Sequence, residues 1–233
     1  LKIIYIILIM FFYIIKIKDA LKKIPTVYIN KNEDCYLRWL KHDFYLGINE
    51  NFPNSKIPSD NPNTTSVSCY VHYKHWNIIL CGDAASGFTE ESIISHQKNL
   101  FKDSDRVILK ATHHGASSSN GYNFLEWCHP EIIYVSAAMI DEVCAPNTVT
   151  TGTSSGAQAH PSRSALKRMF SVTHDVYWNA INGDIEIRVD GINDATINGA
   201  GRNKDYLDKN GDIVSRENEK NVTIENSKFY EYF

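Results

Sequence analysis

Short apolar runs, each closed by a polar or glycine-bearing turn, recur between residues 67 and 189. Residues 67–73 read as a strand and Tyr73-Lys74-His75 as a tight connection. The returning strand, 76–81, is more continuously apolar and therefore expected to be more deeply buried. Residues 88–101 predict a helix with Thr89 as its N-cap. Glu90 and Glu91 then occupy the first turn, where the helix dipole favours acids, and Ile93, Ile94, Gln97, Leu100 and Phe101 trace one face. A strand at 107–111, a short helix at 122–127 and a strand at 132–137 follow. Residues 141–159 are rich in Thr, Ser, Gly and Ala without periodicity and read as a long loop. Residues 162–170 predict a helix entered through Pro161, a favoured first-turn residue. Residues 175–179 and 184–189 predict a hairpin turning at Asn182-Gly183.

The flanks are less regular. Residues 3–15 are almost wholly apolar, with Lys2 before and Lys16 and Lys18 after. The run is shorter than the roughly 20 residues a membrane span needs. It suits a signal-type apolar region, the end of a truncated span that associates with a membrane, or a buried strand pair. A cytoplasmic location is expected, with membrane association or export as the alternative. Residues 34–46 predict one amphipathic helix, and 49–65 carry every turn signal of a loop. From 193 the chain is polar and reads as an extension. Asp208, Asn210, Gly211 and Glu217 partly match a calcium loop, but Tyr206 stands where its first carboxylate belongs, so an Asn-Gly turn explains them. The expected organisation is an apolar and irregular segment at 1–60, an α/β domain at 61–192 and a polar tail at 193–233.

Composition narrows the class only a little. The chain has 233 residues and is 43% apolar, enough for one domain with a core. A net charge of −3 does not advertise a nucleic-acid surface. Five cysteines, widely spaced and without a CxxC pair, give neither a disulfide framework nor a zinc knuckle.

The candidate chemistry lies at strand ends. The run 76–81 ends in Gly82-Asp83-Ala84, and the run 107–111 ends in Thr112-His113-His114-Gly115. Asp oxygen and imidazole nitrogen together suit zinc, manganese or iron, and such sites are commonly hydrolytic. Ser117, Ser118 and the backbone around them offer donors for a substrate phosphate. His72 and His75 sit in a hairpin at the far end of the strand from Asp83 and read as surface residues. His42, His96, His129 and His174 show no partner spacing.

Taken in order, Asn63-Thr64-Thr65-Ser66-Val67, Ile79-Leu80-Cys81-Gly82-Asp83-Ala84, Leu109-Lys110-Ala111-Thr112-His113-His114-Gly115-Ala116, Val135-Ser136-Ala137 and His160-Pro161 resemble one known pattern. It is the soluble hydrolase domain of the ComEC-like competence DNA-uptake proteins, within the metallo-β-lactamase superfamily. Val176-Tyr177-Trp178 and Gly183-Asp184-Ile185-Glu186-Ile187 resemble that domain's last hairpin. The resemblance covers about residues 61–191. It implies an αββα sandwich of which this chain holds the later half. It further implies a site for two divalent ions, zinc or manganese, with Asp83 as a bridging ligand and one of His113 and His114 as a late ligand. His160 is then a catalytic residue that stabilises or protonates a leaving oxygen. The implied substrate is a phosphodiester, DNA among the candidates.

One departure matters. The family's early His-x-His-x-Asp-His motif, which supplies most of the ligands, is missing, and His42 before Asp43 stands alone. The chain starts with Leu and an abrupt apolar run, which reads as truncation. Two functional expectations follow: a metal-dependent hydrolase present as a fragment that is inactive alone, or a degenerate, non-catalytic domain of the same fold used in binding or assembly.

Overall fold

The computed structural model describes residues 26–30, 34–41, 62–137, 160–199, 206–207, 213–214 and 222–227. The apolar segment 3–15, His42, Asp43, the loop 141–159 and most of the calcium-like loop lie outside them.

The chain is a mixed α/β protein built on a seven-stranded sheet whose spatial order follows the sequence. Strands β1 (Thr26–Asn30), β2 (Cys35–Lys41), β3 (Ser68–Tyr73) and β4 (Trp76–Leu80) pair antiparallel. Then the sheet changes character. Helix α1 (Thr89–His96) leads to β5 (Arg106–Lys110), α2 (Tyr122–Cys128) to β6 (Ile132–Val135), and α3 (Arg163–Phe170) to β7 (Val176–Trp178). Strands β4 to β7 all run parallel. A single helical turn, α4 (Asn179–Asn182), closes this part. Strands β8 (Ile185–Arg188) and β9 (Thr196–Gly199) form a two-stranded ribbon, as do β10 (Tyr206–Leu207) and β11 (Ile213–Val214).

Side chains alternate across a strand, so each parallel strand feeds two cores. Ile79, Val107, Leu109, Ile133, Val176 and Trp178 point to the helices and pack with Ile93, Leu125, Leu166 and Met169. Trp76, Ile108, Ile132 and Tyr177 point the other way and pack with Ile185, Ile187 and Ile197 of the β8–β9 ribbon. The sheet is therefore covered by helices on one face and by strands on the other. Burial on both faces explains why 76–81 and 107–111 read as continuous apolar runs.

Five expectations change. Residues 35–41 are a strand, not part of an amphipathic helix, because Leu37 and Trp39 alternate inward on one face and the backbone pairs with β1 and β3. Helix α1 ends at His96 rather than 101. Thr89 does not cap it; the N-cap is Phe88, and the Thr89 hydroxyl donates to Thr64 O at 2.9 Å. Strands β7 and β8 do not pair across Asn182-Gly183. Asn182 instead closes α4 and donates to Val222 O, while β7 joins β6 and β8 joins β9. Residues beyond 192 are not all a polar extension: Ile224 is fully buried, and its N–H donates to Val176 O at 2.7 Å. Helix α3 falls within the expected 162–170, but Pro161 lies before the helix rather than in its first turn, and Ser162 is the N-cap, accepting from Ala165 N.

Gly115 is the tightest backbone approach near the sheet edge. It has φ +82°, and a Cβ there would lie 2.8 Å from Pro161 Cβ. Gly87 also has positive φ, +75°, but its Cβ would meet nothing within 4 Å. Both Gly→Ala changes carry a left-handed penalty of about 1–2 kcal/mol. Gly115→Ala should lose about 1–3 kcal/mol more by overpacking. Urea melts of the two variants decide it, and equal losses would show that the Pro161 contact is slack.

Candidate functional site

Parallel neighbours that end together place their C-terminal loops side by side, and ligands commonly bind there in α/β sheets. Here β4 delivers Asp83, β5 delivers His113 and His114, and β6 delivers Ser136. The β4 and β5 loops are stitched together. His113 N donates to Gly82 O at 2.9 Å, Ser86 N to Ser118 O at 2.8 Å, and Ser119 Oγ to Ala84 O at 2.7 Å. Asp83 N is held by Ser66 Oγ at 3.1 Å.

His113 and His114 both adopt left-handed backbone, at φ 46° and 56°. Non-glycine residues pay about 1–2 kcal/mol each there, so the surrounding structure must hold them. The chief restraint is Glu90. This carboxylate is 1% exposed and accepts from Thr112 Oγ1 at 2.7 Å, Asn120 N at 2.6 Å and Gly121 N at 2.8 Å. Asn120 Oδ1 in turn accepts from Thr112 N, and Asn120 Nδ2 donates to Thr112 O. Arg168 of α3 grips the same loop through Ser117 O, Ser119 O and Asn120 O. Ser162 N donates to Gly115 O and fastens the His160 segment beside it.

The side chains meet at the sheet edge. His114 Nε2 lies 3.5 Å from Asp83 Oδ1. His114 Nδ1 donates to Ser136 O, which accepts only, so the ring proton is fixed on Nδ1. In the neutral ring, Nε2 then turns a lone pair towards a carboxylate oxygen. Two such atoms repel at this distance unless a proton or a cation lies between them. Ring centroids of His113 and His160 are 5.1 Å apart, and those of His114 and His160 are 6.3 Å apart with planes within 19°.

His113 behaves differently from its neighbour. Its Nε2 is 3.3 Å from Asn63 Nδ2, which donates to it. Its Nδ1 is buried without a hydrogen-bond partner among the described residues. Burial holds His113 below the ordinary imidazole pKa; the Asp83 charge offsets part of this, and His114 and Lys110 add to it. Lys110 is itself lowered by burial, against the pull of Asp83, and its ammonium donates to Ala111 O at 3.0 Å. Ser117 and Ser118 are exposed, with their carbonyls taken up by Arg168 and Ser86.

The donors fit one divalent ion in part. Two atoms each about 2.0–2.2 Å from one ion are at most about 4.4 Å apart, so the Asp83–His114 pair can share one. A carbonyl fixing the distal nitrogen is the usual support of a ligating histidine. A two-ion centre asks for more. Among the described residues no group of three or more His, Cys, Asp or Glu is arranged to hold a metal. Sequence reasoning passed over Glu90, which looked like a first-turn acid, and Asn120, which carries no signal. Lys110 had one: a charge closing an apolar strand.

No protein-family model matches the chain, and no curated protein is significantly similar to it.

Glu90→Gln should destabilise the protein by about 1–3 kcal/mol, because the amide NH2 has no lone pair for the backbone N–H it faces, whereas a carboxyl oxygen keeps one whether or not it is protonated. Burial raises the Glu90 carboxyl, partly countered by its donors and Arg168. A raised folded pKa means that its contribution is full below the unfolded value and is lost as pH rises through the folded one. The gap between wild type and Glu90→Gln in urea melts should therefore be widest near the bottom of the accessible range and narrow upward. A gap that widens with pH would show that Glu90 is held charged instead.

Proposed function

We propose that this chain carries the later half of a metal-dependent phosphodiesterase site of the metallo-β-lactamase kind, with Asp83 and His114 as ligands of a divalent cation. The observation that carries the reading is the Asp83–His114 pair, with His114 fixed so that its free lone pair faces the carboxylate. The sheet covered by helices on one face and strands on the other is consistent with part of an αββα sandwich. The ComEC-like motif order supports the phosphodiester substrate, DNA among the candidates.

Zinc or manganese at the pair would supply Lewis-acid stabilisation of charge on a phosphoryl oxygen. The chain's own residues do the rest. His114 is the ligand of the histidine pair, because the Nε2 of His113 is occupied by Asn63. His113, held neutral by burial, lines the site without adding charge. His160 stands against both rings, placed to deliver a proton to a leaving oxygen. Ser117 and Ser118 offer exposed hydroxyls on the same loop for a phosphate. The remaining ligands come from outside the described residues.

One observation favours a second reading, a non-catalytic binding or assembly domain: among the described residues no third His, Cys, Asp or Glu joins the Asp83–His114 pair. Metal titration of the intact protein separates the two. The hydrolase reading expects zinc or manganese to bind, and Asp83→Ala and His114→Ala each to weaken binding at least about tenfold to a hundredfold. His113→Ala should leave metal affinity within about threefold, and His160→Ala should lower hydrolysis of bis-p-nitrophenyl phosphate while metal content stays unchanged. Should Asp83→Ala retain both its metal and its rate, the hydrolase reading fails. Absence of metal binding in the wild type leaves the binding-domain reading in its place.

A further inference from the structure

The far end of α1 holds an arrangement that the proposed hydrolase does not use. Helix α1 links the parallel strands β4 and β5, so it starts beside the Asp83 edge and ends with His96 at the other end of the sheet. A shallow cavity of about 360 Å³ opens there. Strand β2 contributes Arg38 to one wall, and the end of the helix and the turn after it contribute the rest.

Arg38 is the informative residue. It stands between Tyr36 and Leu40 on β2, and alternation puts all three on the helix-facing side of the sheet, where Leu40 is buried in the core and Tyr36 packs against it. An aliphatic residue at this position would extend that core. Arg38 is only partly buried, and its guanidinium makes no ion pair or hydrogen bond among the described residues. None of its nitrogens is a buried atom without a partner, so they reach solvent and are open to a guest. Lys98 is exposed on the same cavity and is likewise without an ion pair among the described residues. The described lining carries two full positive charges and no carboxylate.

The helix end opposes an anion only weakly. Its macrodipole leaves about half a negative charge there, less than the two cations supply. Its last carbonyls are also taken: Ser92 O accepts from His96 Nδ1 at 2.8 Å and from Ser95 Oγ at 2.9 Å, and Ile93 O accepts from Gln97 N at 3.0 Å.

We propose that this cavity binds a small sugar phosphate, with the phosphate on Arg38 and Lys98. Charge sets the head group. A phosphate monoester carries about −1.5 to −2 at neutral pH and matches both cations, whereas a carboxylate leaves one of them unmatched. The guanidinium fork suits phosphate oxygens in pairs, and the ammonium adds a point charge. The rest of the lining sets the body of the ligand. Ser95, Gln97 and Asn99 offer hydroxyl and amide groups, and Leu100 alone is aliphatic, so a sugar fits better than an aromatic ring. About 360 Å³ is at the small end of ligand pockets and suits a single sugar.

Ribose 5-phosphate is the probe. On the intact protein without added metal, an NMR titration should saturate with a Kd of about 0.1–1 mM. Ribose should not bind, and inorganic phosphate should bind more weakly than the ester. Arg38→Met keeps most of the side-chain stem over the core and removes the charge. It should weaken binding at least about tenfold and leave Tm unchanged. An arginine that only packs would leave binding as it is. Lys98 is exposed, so Lys98→Met gives a second test that misfolding does not obscure, and it should weaken binding at least about threefold. Asp83→Ala should leave binding unchanged, which keeps this site's failure distinct from that of the hydrolase reading. The proposal is overturned by no saturation at about 10 mM, by undiminished binding in Arg38→Met or Lys98→Met, or by ribose or inorganic phosphate binding as tightly as the ester.

Discussion

A single buried carboxylate holds the functional edge of this protein in place. Glu90 reaches from the first turn of α1 to three donors on the β5–α2 loop, and no other side chain among the described residues ties those two elements so closely. The loop needs such a restraint. It carries two successive histidines in left-handed backbone, a conformation an unrestrained chain would leave. Arg168 closes the same loop from α3, with its guanidinium on three carbonyls. An acid below and a base above thus fix a loop that has little apolar surface of its own, and the network is nearly free of unsatisfied members. That completeness matters, because a half-satisfied buried network costs more than an apolar one.

The sheet decides which groups can meet. Four parallel strands side by side bring their C-terminal ends to one edge, so polar side chains far apart in sequence become neighbours without a dedicated fold for the purpose. Asp83, His114 and Ser136 come from three adjacent strands and form one line: carboxylate, imidazole, carbonyl. The carbonyl sets the tautomer, the tautomer sets which nitrogen faces Asp83, and that choice distinguishes His114 from His113. His113 is only one residue away, yet it turns to Asn63.

Much of this was legible in the sequence, and the losses have physical causes. Strands β3 to β6 and helices α2 and α3 were readable because burial on two faces or one leaves a plain apolar signature. The Asp83 and His113-His114 strand ends were readable because an acid or histidines directly after apolar runs are conspicuous. Strand β2 was misread because Asp34 to Leu46 mixes charge and apolar residues at spacings that suit either period. What decides it is the pairing with β1 and β3, which is not local. The β7–β8 hairpin was misread because Asn182-Gly183 is a strong turn signal wherever it occurs; here the same residues end a helical turn, and Asn182 is spent on Val222. Glu90 could not be found from its neighbours, since a first-turn acid facing solvent and one facing a buried loop are written alike.

The two ends of β4 show how polar groups are placed in an otherwise apolar strand. At its C-terminal end the polar group is Asp83, just beyond the last buried residue, half-exposed and set against an imidazole. At its N-terminal end the polar group is Asn77, inside the strand and buried. An exposed carboxylate at a strand end costs the fold almost nothing, so its presence alone argues little; its weight comes from the fixed lone pair that faces it. A buried amide with an open donor does cost the fold, and its weight comes from that cost. The two environments differ in kind: at one end a carboxylate faces an imidazole nitrogen at 3.5 Å, and at the other an amide nitrogen lacks an acceptor among the described residues. Elsewhere the buried polar side chains of the core, Glu90, Thr112, Ser119 and Asn120, find their partners within the chain. Against that background, Asn77 Nδ2, His113 Nδ1 and Trp39 Nε1 stand out as buried polar atoms without a hydrogen-bond partner among the described residues.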